Sequence, residues 1–479
     1  MPVYTRRALL AGAGAPFLHA ATALRAGAAT AEITPAPGYA LDGPIMANGP
    51  AERIHDALFA RCLVLESGGT RLVFVVCDVC MIENSVVDRA KREVAAATGI
   101  PASQVLISAT HTHSAPRVLR VERDPVAWPV NATDLHPPYE EALVGRITEA
   151  VRRAVGHLAP AEAGWGAGSL PGDVFNRRWF VKPDAIPPNP FGERTDRVMM
   201  GPPRASDALI EPAGPVDPEV SVLAVRSAGG APIALLANYG LHYVGGVPRT
   251  DISADYFGVF ARELGRLLNA RGGAAPFVGI LSNGTSGDVN NVDFRRKAEQ
   301  APPYKRMEEV AGRLAKEVAT VYGRIAFQRN LSLDVRQAPL TLGVRKPDAG
   351  RVAWAREALL AEGGHPRRNI YAREVLYMHQ RPATFKTTLQ AMRVGDLGIV
   401  ALPCEVFAET GLELKRQSAF QPSFVIELAN GYGGYLPTPR QHALGGYETW
   451  LARSSFLEAD AAPKLSGRSL DLLHDLRNA

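Results

Sequence analysis

Residues 105–114 read Val-Leu-Ile-Ser-Ala-Thr-His-Thr-His-Ser. A short apolar run passes directly into a polar loop with two histidines. A run with no polar face is the pattern of a strand buried on both sides. A polar loop at its end is where open sheets place reactive groups, because the strand fixes position and the loop supplies the chemistry. The pattern recurs at 233–242, 277–291, 399–405 and 425–435, each an apolar strand followed by His, Asn, Asp, Glu or Tyr. Alternation along an extended segment would put His111 and His113 on one face, able to approach one metal or one substrate. Two hydrogen-bonded surface histidines are the plainer alternative.

Working outward, Ala57–Glu66 and Thr70–Val76 read as a strand pair around Gly68 and Gly69, and Val220–Arg226 with Ala231–Tyr239 as another. Glu83–Thr98, Pro138–His157, Ala254–Arg271, Met307–Tyr322 and Glu405–Gln417 have helical spacing. Leu331–Leu342, Leu389–Val394, Gly398–Leu402 and Ser423–Leu428 are strand-like, and the proline-dense stretch 181–215 reads as a long ordered loop or lid. Strands and helices alternate irregularly and several strands come as hairpins. This predicts an α+β fold of mixed α/β layers, mainly one large unit over residues 24–479, with its site on strand-end loops.

The chain has 479 residues, 46% apolar and 21% charged, which suits a protein with a substantial core. Its net charge of +5 is small for that length, and no basic run or stripe favours nucleic acid. At the N-terminus Arg6 and Arg7 precede an Ala/Gly-rich apolar stretch and small residues at Ala21 and Ala23. That order predicts a signal peptide over residues 1–23, of twin-arginine type, and export to the periplasm or beyond. No later stretch reads as a transmembrane helix; peripheral membrane contact stays open, and oligomeric state goes unread. Cys62, Cys77, Cys80 and Cys404 are the four cysteines. Cys77 and Cys80 read better as buried strand-end thiols than as a redox or metal pair, and an export route leaves a disulfide such as Cys62–Cys77 open.

His242 follows a strongly apolar strand and could be structural or a ligand. Glu405 follows Leu402-Pro403-Cys404; it could equally be a first-turn carboxylate favoured by a helix dipole. The loop from Asn430 to Tyr435 lacks the Lys and Ser/Thr of a phosphate-binding loop. Two histidines and a carboxylate would suit zinc with one position left for water.

These segments resemble the neutral/alkaline ceramidase family. The matching residues are Ile107-Ser-Ala-Thr-His-Thr-His-Ser-Ala-Pro116, Asn238-Tyr-Gly-Leu-His242, Ile252-Ser-Ala-Asp-Tyr256, Gly287-Asp-Val289, Leu402-Pro-Cys-Glu405 and Asn430-Gly-Tyr-Gly-Gly-Tyr435, in the family's order. The resemblance implies a Zn2+ ion held by His111, His242, Glu405 and Tyr435. The family has a second active-site tyrosine twelve residues beyond the ligand, and Tyr447 stands twelve beyond Tyr435, which favours Tyr435 over Tyr432. It further implies a substrate-facing role for His113 and an oxyanion or carboxylate contact for Arg177, with Arg178 the alternative in the same motif.

Two departures bear on substrate. The family reads Gly-Asp-Val-Ser-Pro-Asn with an active-site serine, whereas here Asn290 holds the serine's place. Asn cannot act as a hydroxyl nucleophile but can donate a hydrogen bond to a developing oxyanion. The C-terminal immunoglobulin-like domain that ceramidases carry is not expected, since the chain ends soon after Tyr447. The expectation is an exported zinc hydrolase in which zinc-activated water cleaves the amide of a small or lipid-like N-acyl substrate. In it, His113 moves protons while Tyr447, Arg177 or Asn290 steadies the oxyanion. A zinc esterase or lactonase and a non-catalytic zinc-stabilised binding protein are the rival expectations.

Overall fold

The computed structural model describes residues 22–43, 50–118, 139–270, 275–361 and 366–479. Val105–Ala109 forms a fully buried strand parallel to Thr70–Cys77. An eight-stranded sheet continues from this pair through Phe59–Ser67, Arg25–Glu32, Ala159–Ser169, Glu219–Ser227, Pro232–Tyr239 and Val278–Asn283. Its first and last neighbouring pairs are parallel and the pairs between them antiparallel.

The alternation of each strand feeds two cores. In Phe59–Ser67, Cys62 and Val64 face one way while Leu63 and Leu65 face the other, all fully buried. The Cys62 side packs under helices Asn84–Thr98 and Tyr139–Gly156. Along the same face, Val222, Ala224, Leu235 and Ala237 pack under helices Asp255–Leu267 and Lys305–Tyr322. The Leu63 side, with Phe74, Leu223 and Leu236, meets a second sheet of four strands, Leu333–Gly343, Thr384–Val394, Leu397–Ala401 and Ser423–Ile426. The outer face of that sheet lies under helices Ala408–Gln417 and Ala461–Arg477. The result is helix, sheet, sheet, helix: an α+β architecture in which strands such as Val105–Ala109 and Leu397–Ala401 are covered on both faces and carry unbroken apolar runs, while Leu333–Gly343 and Thr384–Val394 stay partly exposed and carry polar residues.

Three parallel pairs direct their carboxyl ends to one edge: Thr70–Cys77 with Val105–Ala109, Pro232–Tyr239 with Val278–Asn283, and Leu397–Ala401 with Ser423–Ile426. There the two sheets are stitched together. The Ala109 N–H donates to Leu428 O at 3.1 Å, Asn430 N–H to Ile107 O at 2.7 Å, and Glu427 N–H to Asn283 O at 3.1 Å. Every loop expected to carry chemistry leaves from this seam.

Several elements differ from the expectations. The helix expected from Glu405 begins at Ala408, and Glu405–Val406 is instead a short strand parallel to Tyr435–Leu436. The proline-dense stretch is partly sheet, because Val198–Met200 and Leu209–Pro212 flank Arg178–Val181. Its prolines at 183, 187, 188, 190, 202 and 203 fall between the strands, where no ladder N–H is required. Of the expected signal, residues 1–21 lie outside the described residues, and Thr22–Ala23 pair with Asn330–Leu331. All four cysteines are free and buried; the strand register sets Cys62 opposite Val75 and Cys77 opposite Ala60. Among the described residues no helix is long and apolar enough to cross a membrane.

Candidate metal centre

The strand carrying the two histidines ends at Ala109, and His111 then takes φ +73, a left-handed conformation that costs a non-glycine residue about 1 kcal/mol or more. The expected extended alternation therefore does not hold, because the chain turns at His111. The rings meet all the same, edge to face, with His113 Nε2 3.3 Å from His111 Nε2. His113 lies flat on Tyr243, with ring centroids 3.7 Å apart. Gly43 covers it from the other side at φ +109, where a Cβ would sit 2.3 Å from His113 Cγ.

His242 follows the Pro232–Tyr239 strand and is 1% exposed, like His111. Its Nε2 stands 3.0 Å from His111 Nε2. Each ring turns its Nδ1 to a backbone carbonyl: His111 to Cys80 O at 2.8 Å and His242 to Ser286 O at 3.1 Å. A carbonyl only accepts, so each Nδ1 carries the proton, and a ring held in that tautomer can turn a lone pair inward at Nε2. Glu405 Oε2 completes the group, 3.3 Å from His111 Nε2 and 3.8 Å from His242 Nε2, and is a buried oxygen with no hydrogen-bond donor among the described residues. Three acceptors converge with no donor among them, which is the donor set of a divalent cation. These three groups lie within 4.8 Å of one another.

Burial and charge act on the group together. Burial alone would raise the Glu405 carboxyl, but the facing His111 ring, the Arg177 guanidinium and the Tyr432 hydroxyl hold it below the usual carboxylate range. Burial, then the neighbouring His111 and Arg177, pushes His113 and His242 well below the ordinary imidazole value.

The two tyrosines of the late loop divide their contacts. Tyr432 donates its hydroxyl to Glu405 Oε1 at 2.9 Å. Tyr435 is the ladder partner of Glu405, so the two side chains leave neighbouring strands side by side. The Tyr435 ring lies 5.3 Å from the Arg177 guanidinium carbon and edge-on to Tyr447 at 5.8 Å. Arg177 reaches the cluster with Nη1, 3.5 Å from His242 Nε2, while Nη2 donates to Gly287 O and Nε to Glu448. Arg178, the alternative in the same motif, points elsewhere: it is fully buried and donates to Glu448, Gln441 and Gly445. Asn290 accepts from Val292 N–H at 3.0 Å and, among the described residues, makes no hydrogen bond with the cluster.

Four residues of this site had no role in the sequence reading. Glu448 is fully buried and joins Arg177 to Arg178. Its position beside Tyr447 was the available signal. Ser286 and Glu427 lie behind His242, and Glu427 ends an apolar strand with a carboxylate, a pattern read at Glu405 and passed over here. Tyr243 follows His242 directly. Cys80, read as a buried thiol, has Sγ 3.5 Å from His111 Nδ1, although that nitrogen is closer to the Cys80 carbonyl.

"Neutral ceramidase" of Mycobacterium tuberculosis is 24% identical over 89% of this chain and 73% of its own. "Neutral ceramidase A" of Dictyostelium discoideum is 26% identical over 53% of this chain, and the match spans 33% of that protein. The crystal structure of neutral ceramidase from Pseudomonas aeruginosa superposes with a TM-score of 0.70 over 95% of this chain and 75% of that one, at 19% identity, a likeness of fold. The family described as neutral/alkaline non-lysosomal ceramidase, N-terminal, matches residues 25–298. That span is more than half of the chain, and the protein belongs to the neutral/alkaline non-lysosomal ceramidase family.

Proposed function

We propose that this protein is an exported, zinc-dependent hydrolase that cleaves the amide bond of an N-acyl, lipid-like substrate. The observation that carries the reading is the convergence of His111 Nε2, His242 Nε2 and the orphaned Glu405 Oε2 with no donor among them. Zn2+ suits two imidazoles and a carboxylate, and Tyr435, beside Glu405 in the ladder, is the fourth ligand in this reading. A zinc ion held there lowers the pKa of water and polarises a carbonyl.

The protein's own groups supply the rest. His113 stands at the cluster, its Nε2 3.3 Å from His111 Nε2, within reach to take a proton from water and pass it to the leaving nitrogen. Arg177, fixed by Glu448 and Gly287, sets a cationic guanidinium beside the reacting carbonyl. Tyr447 is pushed up by burial, so its hydroxyl keeps its proton and acts as a donor to an oxyanion. Asn290 stands in the β-ladder opposite Phe175, two residues before Arg177, and faces the substrate side in this reading. The family relatives named as ceramidases support the choice of amide over ester. The N-terminal Arg6-Arg7 segment supports export.

The test is a panel of matched N-acyl and O-acyl compounds offered to zinc-loaded protein and to His242→Ala. Amide cleavage by the first and none by the second is expected. Hydrolysis that persists in His242→Ala without zinc, or a preference for O-acyl compounds, would overturn the reading.

A further inference from the structure

The carboxyl group of Glu427 is fully buried behind the cluster, at the end of the Ser423–Ile426 strand. It touches none of the three converging acceptors. It holds instead the two backbone segments that present them. Its Oε2 accepts the Val406 N–H at 2.6 Å and the Ser286 N–H at 3.2 Å, and its Oε1 accepts the Ser286 hydroxyl at 2.5 Å. Val406 follows Glu405 in sequence. Ser286 supplies the carbonyl that takes the proton of His242 Nδ1, with its hydroxyl oxygen 3.4 Å from the same nitrogen. The two segments also bond each other, Gly287 N–H to Val406 O at 2.8 Å. A Cβ at Gly287 would fall 2.5 Å from Glu405 O, so the segments are in backbone contact.

We infer that Glu427 is a positioning residue that locks Ser286 and Val406 together, and through them fixes the ring of His242 and the backbone of Glu405 in one metal-binding geometry. The inference rests on reading the cluster as a metal centre. The physical reason is that His242 and Glu405 follow strands of different sheets, Pro232–Tyr239 and Leu397–Ala401, so nothing in either sheet alone sets their separation. The Glu427 carboxyl offers two oxygens that meet the three donors of both segments at once. Groups that orient ligands in this way are worth about 10- to 100-fold in metal affinity.

The experiment measures zinc affinity by chelator competition on folded apo-protein for the wild type and for Glu427→Ala, Glu427→Gln, Ser286→Ala, His242→Ala and Asp173→Asn. Asp173 is a buried carboxylate bound by Arg306 and Arg313 away from the cluster, and serves as the control for lost stability alone. We expect Glu427→Ala to weaken zinc binding about 10- to 100-fold and Ser286→Ala about tenfold. Glu427→Gln, which keeps an oxygen for the two N–H groups, should stay within a few-fold, and Asp173→Asn should bind as the wild type does. Wild-type affinity in Glu427→Ala, or in Ser286→Ala where the former does not fold, would overturn the inference while His242→Ala still fails to bind. The second readout needs no metal: the ring-nitrogen NMR signals of His242 in apo-protein. A single Nδ1–H tautomer in the wild type and a mixture in Glu427→Ala, where the Ser286 segment and its carbonyl are no longer held, is expected, and an unchanged tautomer counts against the inference. Failure of the wild type to bind zinc would sink the metal reading, and the ring-nitrogen comparison then decides the positioning role by itself.

Discussion

His111 Nε2 and His242 Nε2 stand 3.0 Å apart, each with its Nδ1 committed to a backbone carbonyl. Two lone pairs at that distance repel, and the Glu405 oxygen beside them adds to the cost. A cation removes it. Zinc should therefore stabilise the fold, by about 2.7 kcal/mol at a free concentration one hundred times the Kd. Thermal unfolding with zinc and with chelator should show this difference in the wild type and lose it in His242→Ala. Equal midpoints in the wild type would count against a cation at this place.

Gly43 packs on the face of His113 that Tyr243 leaves open. Its φ of +109 and the 2.3 Å approach to His113 Cγ both exclude a Cβ. Gly43→Ala should push His113 out of its stack while leaving His111, His242 and Glu405 in place. Hydrolysis should fall on the order of 10²-fold, the size of a lost acid–base group, with zinc content unchanged. Metal analysis and turnover on the same sample decide the point; loss of zinc along with activity would contradict it.

Glu448 carries one charge between two buried arginines, at 2.9 Å from Arg177 Nε and 2.6 Å from Arg178 Nη1. Removing it leaves both cations without their buried partner. Glu448→Ala should cost about 3–5 kcal/mol in a denaturant titration, since a lone buried charge is far more costly than the pair. A cost below 1 kcal/mol would mean that water or another group takes over.

Asp255 lies at the start of its helix with φ +53, and its carboxylate accepts the N–H groups of Val244, Gly245 and Tyr256. Burial, against those three bonds, pushes it from 3.8 up to about 6. Between those two values the folded chain keeps a proton that the unfolded chain has released. The contribution to stability is full below pH 3.8 and is lost as pH rises through about 6, a change of about 3 kcal/mol. Asp255→Asn removes this dependence, so its stability relative to the wild type should improve by most of that amount, about 2.4 kcal/mol, from pH 4 to pH 7. Urea titrations across that range give the slope, and a flat difference would exclude the shift.

Much of the architecture was legible in residue order. Unbroken apolar runs such as Val105–Ala109 and Pro232–Tyr239 announced strands buried on both faces, and the polar loops after them announced where chemistry would sit. Helical periodicity located Tyr139–Gly156 and Lys305–Tyr322 to within a few residues, because one face of each is apolar. The reading failed where the determinants are not periodic. Glu405 looked like the first turn of a helix, since a strand of two residues paired to Tyr435–Leu436 leaves no pattern in either segment.

Residue order already carried the residue types and loops from which a two-histidine, one-carboxylate site could be drawn, since those are properties of short stretches. It is the tertiary fold that brings His111, after the edge strand, to face His242, which follows a strand near the far end of the same sheet, and Glu405, which follows the Leu397–Ala401 strand of the second sheet. It also separated Arg177 from Arg178 and put Glu427 and Glu448 behind the site. Convergence depends on strand order and sheet packing, which are not encoded within a dozen residues of the groups they bring together, and on a left-handed turn at His111 that a non-glycine residue does not announce.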